Sequence, residues 1–224
     1  MENHISEKEL DIVVDKLRQH IKGNYRKEFG VRSFDLRTDY TASDVQNVAL
    51  YMAADVGLLD YTVTVKLDDL KRNIPQYSNY NSDRTLYIVL DKNRFLHQMY
   101  PPAQIMTIIA HEVCYKLLWV HGLREISSEK KYISDVCAVY VGFGRILMRG
   151  MEHIKKETIG NCYYISTSNV GYLEKWQIAY LRNKIHNKPI AIQHYKWFPA
   201  FRNIAAIIGM LLFVSFFIYY FFFR

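Results

Sequence analysis

The sequence is poor in cysteine and lacks several short motifs that mark common enzyme classes. Its three cysteines, Cys114, Cys137 and Cys162, are too few and too scattered for a disulfide framework or a zinc finger. It has no glycine-rich phosphate loop between a strand and a helix, no GxSxG nucleophile elbow and no CxxC pair. The first ten residues, MENHISEKEL, contain no apolar run, so we expect no signal peptide and a reducing compartment.

Acidic residues are missing from one end of the chain only. Glu174 is the last of them, and seven Lys or Arg residues follow it, so residues 1–174 contain 22 basic and 22 acidic residues. The formal net charge of +7 therefore belongs to the C-terminal end. A nucleic-acid-binding domain carries its basic residues on a face of the folded body. We expect no nucleic-acid partner.

Charge is absent altogether from residues 203–223, NIAAIIGMLLFVSFFIYYFFF, which lie between Arg202 and Arg224. At about 1.5 Å per residue, a helix of this length spans about 30 Å, the thickness of the hydrocarbon layer of a bilayer. The run predicts one C-terminal transmembrane helix, and the basic residues before it favour a cytoplasmic N-terminal side. We expect a single-pass membrane protein with a cytoplasmic domain at residues 1–197 and an anchor at residues 198–224.

The rest of the pattern predicts an α+β domain, mostly helical with a small β-sheet. Ser6 and Glu9 have the spacing of a capping box, and apolar residues follow them at helical intervals. YTVTVK at 61–66 alternates as a strand does, and TLYIVL at 85–90 reads as a second strand. Further helices are predicted from 41 or 43 to 56 and at 103–120, 129–147 and 172–185, with a short β-prone stretch at 162–165.

A histidine and a glutamate, His111 and Glu112, stand together on the most apolar of these helices. Burying an ionised carboxylate without a partner costs several kcal/mol, so such a residue usually has a function or a partner. The segment TIIAHEVCYKLLWVHG resembles the active-site helix of the zincin metallopeptidases, whose HExxH motif places two zinc-binding imidazoles on one face. An ordinary helix that happens to contain the HE dipeptide is the alternative.

The resemblance implies zinc as the cofactor and a role for each residue of the motif. His111 matches the first zinc ligand, Glu112 matches the catalytic base that acts on the metal-bound water, and Tyr115 stands where the second histidine is expected. A phenol is a poor zinc ligand at neutral pH because its pKa is about 10. We therefore expect the chain to bind zinc weakly or not at all and to hydrolyse little, and we expect Tyr115→His to restore binding.

The third ligand implied by the resemblance is Asp135, on the next predicted helix. Some zincins take a carboxylate from the helix that follows the motif, and the order HExx, SD, GFG and GYLEKWQIAY across about residues 85–182 is similar to an uncharacterised bacterial zincin-like family. The alternative for Asp135 is a buried acid that bonds a neighbouring backbone. His121 lies too far along a straight helix to share an ion with His111, and Cys114 is a further candidate ligand.

Two classes of function remain open at this point. The first is a membrane-anchored, zinc-dependent metallopeptidase-like hydrolase, with a polypeptide substrate lying along an edge strand such as 85–90. The second is a non-enzymatic membrane-anchored binding or scaffold module that retains a zincin-like fold and takes a protein partner. In the first case Glu112 is the candidate catalytic residue, and His111, Tyr115 and Asp135 are the candidate metal ligands.

Overall fold

The structure is a computed structural model that describes residues 5–23, 25, 28–30, 33–34, 36–69, 84–123, 130–159 and 162–187, with the backbone alone for 153–168 within these ranges. All of them belong to one compact unit, Met1–Lys188; a second unit, Pro189–Arg224, lies outside the described residues, as does the predicted boundary at 197. The described residues form helices α1 (Glu7–His20), α2 (Ala42–Asp55), α3 (Lys92–Leu96), α4 (Pro102–Val120), α5 (Tyr132–Tyr140), α6 (Gly144–Gly150) and α7 (Lys175–His186), and strands β1 (Thr62–Asp68), β2 (Thr85–Asp91), β3 (Glu152–Ile159) and β4 (Cys162–Asn169).

Helix α4 lies at the centre of the unit and packs against α2, α5, α6 and β2. Fourteen of its 19 residues are buried, so it is covered nearly all round rather than along one stripe. The approach of α6 is especially close, because a Cβ on Gly150 would lie 1.9 Å from the carbonyl oxygen of Ala103. Across the same contact, Thr107 Oγ1 donates to the carbonyl oxygen of Ile146 at 3.2 Å.

The two sheets of the described residues have two strands each. β1 and β2 pair in parallel, with Thr62 opposite Thr85 and Asp68 opposite Asp91. In β2 the side chains of Leu86, Ile88 and Leu90 are buried and alternate with half-buried ones, which is the pattern of a strand with one face on the core. β3 and β4 form an antiparallel pair, longer than the β-prone stretch predicted at 162–165.

The first and last helices of the unit pack against each other and against α5. The capping box predicted at the start of α1 is present, because Ser6 Oγ accepts from the backbone N–H of Glu9 and the Glu9 carboxylate accepts from the backbone N–H of Ser6. On α7, Gln177 Nε2 donates to the carbonyl oxygen of Ile5 at 2.8 Å, and the Tyr180 hydroxyl donates to Asp11 at 2.7 Å. Polar contacts therefore join the two ends of the described chain.

The single helix predicted at 129–147 is wrong, because the chain forms two shorter helices there. α5 ends at Tyr140 and α6 begins at Gly144. Gly142 has a φ of +105°, a conformation that ends an α-helix and that other residues adopt rarely. The backbone of Gly142 therefore makes the turn between the two helices.

The α+β part of the expected fold class agrees with the structure, but the transmembrane helix expected with it is not found among the described residues. None of the helices among the described residues combines enough length with enough apolar character to cross a bilayer. The longest of them, α4, has buried polar side chains at Gln104, His111, Glu112 and Lys116, and its apolar residues form the core of the unit. The run at 203–223 lies outside the described residues.

Candidate functional site

Two charged or titratable side chains lie next to each other in the middle of α4. His111 is 5 % exposed and Glu112 is fully buried. Both are inside because the helix is covered on several sides, so consecutive residues point into different parts of the core. Groups of this kind require partners within the protein.

The partner of His111 is Asp135, on the neighbouring helix α5. The imidazole Nδ1 lies 2.7 Å from the carboxylate oxygen Oδ1, and both side chains are buried. The two residues that the resemblance assigns to one metal site therefore face each other across packed helices. An ionised carboxylate at Nδ1 places a proton on that nitrogen and fixes the orientation of the ring.

The other oxygen of Asp135 is occupied by backbone from a third part of the chain. Oδ2 accepts from the N–H groups of Tyr172 at 2.5 Å and Leu173 at 3.2 Å. Gly171 has a φ of +96°, and a Cβ there would lie 3.0 Å from Oδ2, so a glycine lets the backbone come this close to the carboxylate. We call residues 171–173 the carboxylate clamp.

The clamp also covers His111. The ring of Tyr172 lies 5.4 Å from the imidazole, centroid to centroid, and the tyrosine side chain is 40 % exposed. Burial raises the pKa of Tyr172 to about 12, and the charges of Asp135 and Glu112 act in the same direction. Tyr172 is therefore a neutral phenol at physiological pH that contacts the imidazole.

The electrostatics of His111 are set by opposing effects. Burial alone lowers the pKa of the imidazole, because a charged ring is poorly solvated in the core. The charge and hydrogen bond of Asp135, together with the charge of Glu112, outweigh burial and raise the pKa above its usual value. The result is a protonated imidazole over a wider pH range than in water.

The remaining candidate ligands occupy less favourable positions. Tyr115 lies one turn beyond His111 and is half-buried. Cys114 is buried and free, and its pKa is raised well above the usual value by burial and by the adjacent Cys137, which disfavours a thiolate. His121 follows the last turn of α4 as its C-terminal cap, ten residues after His111, and on a helix this separation is about 15 Å.

The donor set does not fit a zincin-type zinc site. Such a site uses three protein ligands, whereas both oxygens of Asp135 already accept hydrogen bonds from the protein and a tyrosine stands at the second position. In the part of the chain that the structure describes, no group of three His, Cys, Asp or Glu side chains is arranged to hold a metal ion. The hydrogen bonds of Asp135 agree with the alternative of a buried acid bonded to backbone, which the sequence left open.

Sequence reasoning missed the clamp and a further buried cation. Tyr172 was noted only within a motif, and Lys116, which is 1 % exposed, was not singled out. Gly171, after a strand and before a helix, was the available signal for the clamp. For Lys116 the signal was its position on a helix whose other residues are apolar nearly all round.

No protein-family model, curated protein or solved structure matches this chain.

Proposed function

We propose that this chain is a binding module with a zincin-like helix pair that is held together without metal, rather than a hydrolase. The observation that supports this is the carboxylate of Asp135, whose two oxygens accept hydrogen bonds from His111 and from the clamp. A carboxylate in this position joins α4, α5 and the segment before α7. It contributes to the shape and rigidity of the module, and both of its oxygens are engaged within the protein.

An extended polypeptide is the partner that the fold favours. Within the described residues β2 has β1 as its one hydrogen-bonded neighbour, and a strand with an unpaired edge binds another strand through backbone hydrogen bonds. β2 packs on α4, which carries His111 and Glu112, so the strand is supported from the core. Its half-buried side chains, such as Tyr87 and Val89, provide apolar contact for alternate residues of a bound peptide.

A zinc-dependent hydrolase with a degenerate motif is the second candidate. The observation in its favour is the contact of Asp135 with Nδ1 of His111, because metal-binding histidines usually donate their second ring N–H to a carboxylate. In that arrangement His111 would bind the metal through its other nitrogen, Tyr115 would stand beside it, and Glu112 would be the base. Asp135 would then orient a ligand instead of being one.

Metal content separates the two candidates. The full-length protein, its Tyr115→His variant and the matched surface variant Tyr51→His are dialysed against a mild chelator, and zinc is measured per mole of protein. Tyr51 is 67 % exposed on α2, so its replacement adds a histidine away from the cluster. The binding module is expected to retain far less than one equivalent in all three proteins.

Retention of stoichiometric zinc by the unmodified protein would overturn the proposal. Retention by Tyr115→His and not by Tyr51→His would favour the degenerate hydrolase. A peptide library, incubated with the immobilised protein and analysed by mass spectrometry, gives an independent readout: the binding module retains intact peptides, whereas a hydrolase releases cleaved ones.

A further inference from the structure

The two strands of the parallel sheet bury their core-facing side chains to different degrees. In β2, Leu86, Ile88 and Leu90 are at most 1 % exposed. In β1, Val65 and Leu67 are only half-buried. β2 is therefore buried in the manner of an inner strand, although β1 is its one hydrogen-bonded neighbour among the described residues.

The two strands also differ in charge. Strands at the edge of a sheet commonly carry charged side chains, lysine above all, which discourage pairing with another chain. β1 has Lys66 near its middle and Asp68 at its end, whereas the segment TLYIVL at 85–90 of β2 contains no charged residue. β2 thus lacks the protection of an ordinary edge strand, as expected of a strand that pairs with a partner.

A cation from β1 lies above β2 on the face of the sheet that is turned away from the core. The register sets Thr64 opposite Tyr87 and Lys66 opposite Val89, and the alternation of side chains puts all four on this outer face. Nζ of Lys66 lies 4.2 Å from the centre of the Tyr87 ring, whose face attracts a cation. Lys66 is exposed, so its ammonium is accessible to a carboxylate from outside the chain.

A strand added to β2 would meet this ammonium. Neighbouring strands lie about 4.8 Å apart, so the partner side chain beside Tyr87 comes close to the cation above the ring. We infer that the polypeptide bound at β2 carries aspartate or glutamate beside Tyr87 and an apolar residue two places away, beside Val89. This deepens the polypeptide-binding function proposed above and rests on it. The opposite charge contributes specificity and register to a contact whose affinity comes from backbone hydrogen bonds.

The acidic preference belongs to the Tyr87 half of the strand. Asp68 and Asp91 lie opposite each other at the far end of the outer face. Asp91 is four residues from Tyr87, about 13 Å along the strand, which exceeds the screening length of about 8 Å in physiological salt. Lys66 leans away from this end, over Tyr87. The two aspartates therefore repel a carboxylate beside Tyr87 only weakly.

The test uses a random octapeptide library, incubated with the immobilised full-length protein and read by mass spectrometry. Retained peptides are expected to be enriched about 2–5-fold over the library in an acidic residue two places from an apolar one, in either direction along the peptide. An exposed ion pair contributes a factor of this size. Replacing the acid of a retained peptide by its amide is expected to weaken binding by the same factor.

Three variants assign the preference to one side chain. Lys66→Met is expected to abolish the enrichment in acidic residues while peptides with alternate apolar residues are still retained. Lys66→Arg is expected to keep the enrichment, because it preserves the charge. Lys8→Met removes a positive charge from the exposed surface of α1 and is expected to leave the enrichment unchanged.

Two results would overturn the inference and leave polypeptide binding in place. One is a set of retained peptides with no acidic preference, and the other is an enrichment that survives Lys66→Met. Failure of the unmodified protein to retain any peptide would instead refute the polypeptide-binding function, and the inference with it.

Discussion

Two buried carboxylates bind groups in the C-terminal part of the unit, and they differ in the partners that they contact. Glu28 binds Arg182 of α7 through two hydrogen bonds, Nε to Oε1 at 2.5 Å and the terminal amino group to Oε2 at 2.9 Å. Asp135 binds His111 through one oxygen and the clamp before α7 through the other. The first carboxylate has a guanidinium as its partner, and the second has an imidazole and two peptide groups.

The difference shows which attachment depends on conditions. A guanidinium stays protonated at any pH that a protein survives, so the cation of the Glu28–Arg182 pair does not change its charge near neutrality. The imidazole of His111 changes charge near neutrality, so the Asp135 contact keeps its peptide hydrogen bonds and loses its ionic part when the ring is deprotonated. Four measurements sharpen or break this comparison, taken from the largest expected effect to the smallest.

Removal of the carboxylate at position 135 is expected to have the largest effect. Asp135→Ala leaves His111 and two peptide N–H groups without an acceptor in the core, so we expect the free energy of unfolding to fall by about 3–5 kcal/mol. The change in the free energy of unfolding is measured by denaturant unfolding. The control is Asp55→Ala at the exposed end of α2, for which a change within about 0.5 kcal/mol is expected. Equal losses at the two positions would mean that the clamp does not stabilise the fold.

Loss of the charge on Glu28 is expected to come second. Glu28→Gln should lower the free energy of unfolding by about 2–3 kcal/mol, since it breaks a buried pair but leaves Arg182 14 % exposed and able to reach water. The matched comparison is Asp15→Asn, which removes the charge from an exposed pair with Arg18 and is expected to cost less than about 1 kcal/mol. A larger loss for Glu28→Gln than for Asp135→Ala would reverse the ranking of the two attachments.

A methyl group at position 171 tests the closeness of the clamp. We expect Gly171→Ala to cost about 1–3 kcal/mol, because it strains a backbone with φ of +96° and places a Cβ 3.0 Å from Asp135 Oδ2. Gly57→Ala is a matched control, since Gly57 has a φ of +89° and nothing within 4 Å of its Cβ position. The excess loss at Gly171 over Gly57 measures the contact with the carboxylate. Equal losses of stability at Gly171 and Gly57 would mean that the backbone of the clamp does not lie this close to Asp135.

The pH dependence is expected to be the smallest effect. The pKa of His111 is raised in the folded state, so the ion pair stabilises the fold fully below the unfolded pKa of about 6.5 and loses this contribution as the pH rises through the folded pKa. Each unit of elevation is worth about 1.4 kcal/mol. The stability difference between the unmodified protein and His111→Asn should shrink from pH 6 to pH 9, whereas the difference for Glu28→Gln should stay constant. A growing difference for His111→Asn would show that its pKa is lowered.

The sequence predicted the parts of this arrangement that side-chain type and spacing determine. The capping box of Ser6 and Glu9 defines the start of α1 by itself. His111 and Asp135 are titratable residues on apolar helices, so each needs a polar partner in the core. The structure places them in contact. Such signals are local, or they follow from the cost of burying a lone polar group.

The sequence did not reveal contacts that the backbone makes. The peptide N–H groups of Tyr172 and Leu173 lie 37 and 38 residues from Asp135 along the chain and carry no side-chain signature. The turn at Gly142 was missed because a glycine allows both a close approach and a positive φ. The sequence thus singled out the side chain of Asp135 but not the backbone groups that surround it.

The contact between α1 and α7 has a consequence for how the protein is made. Gln177 and Tyr180 bind residues that precede them by 172 and 169 positions. At about 5–20 residues per second, a ribosome needs roughly 9–34 s to synthesise the chain between each of these residues and its partner. During that interval part of the face of α1 that is buried in the folded protein, including Leu10, Val14 and Leu17, stays uncovered because α7 has not yet been synthesised. A chaperone that binds apolar segments of nascent chains would therefore have a binding site on α1.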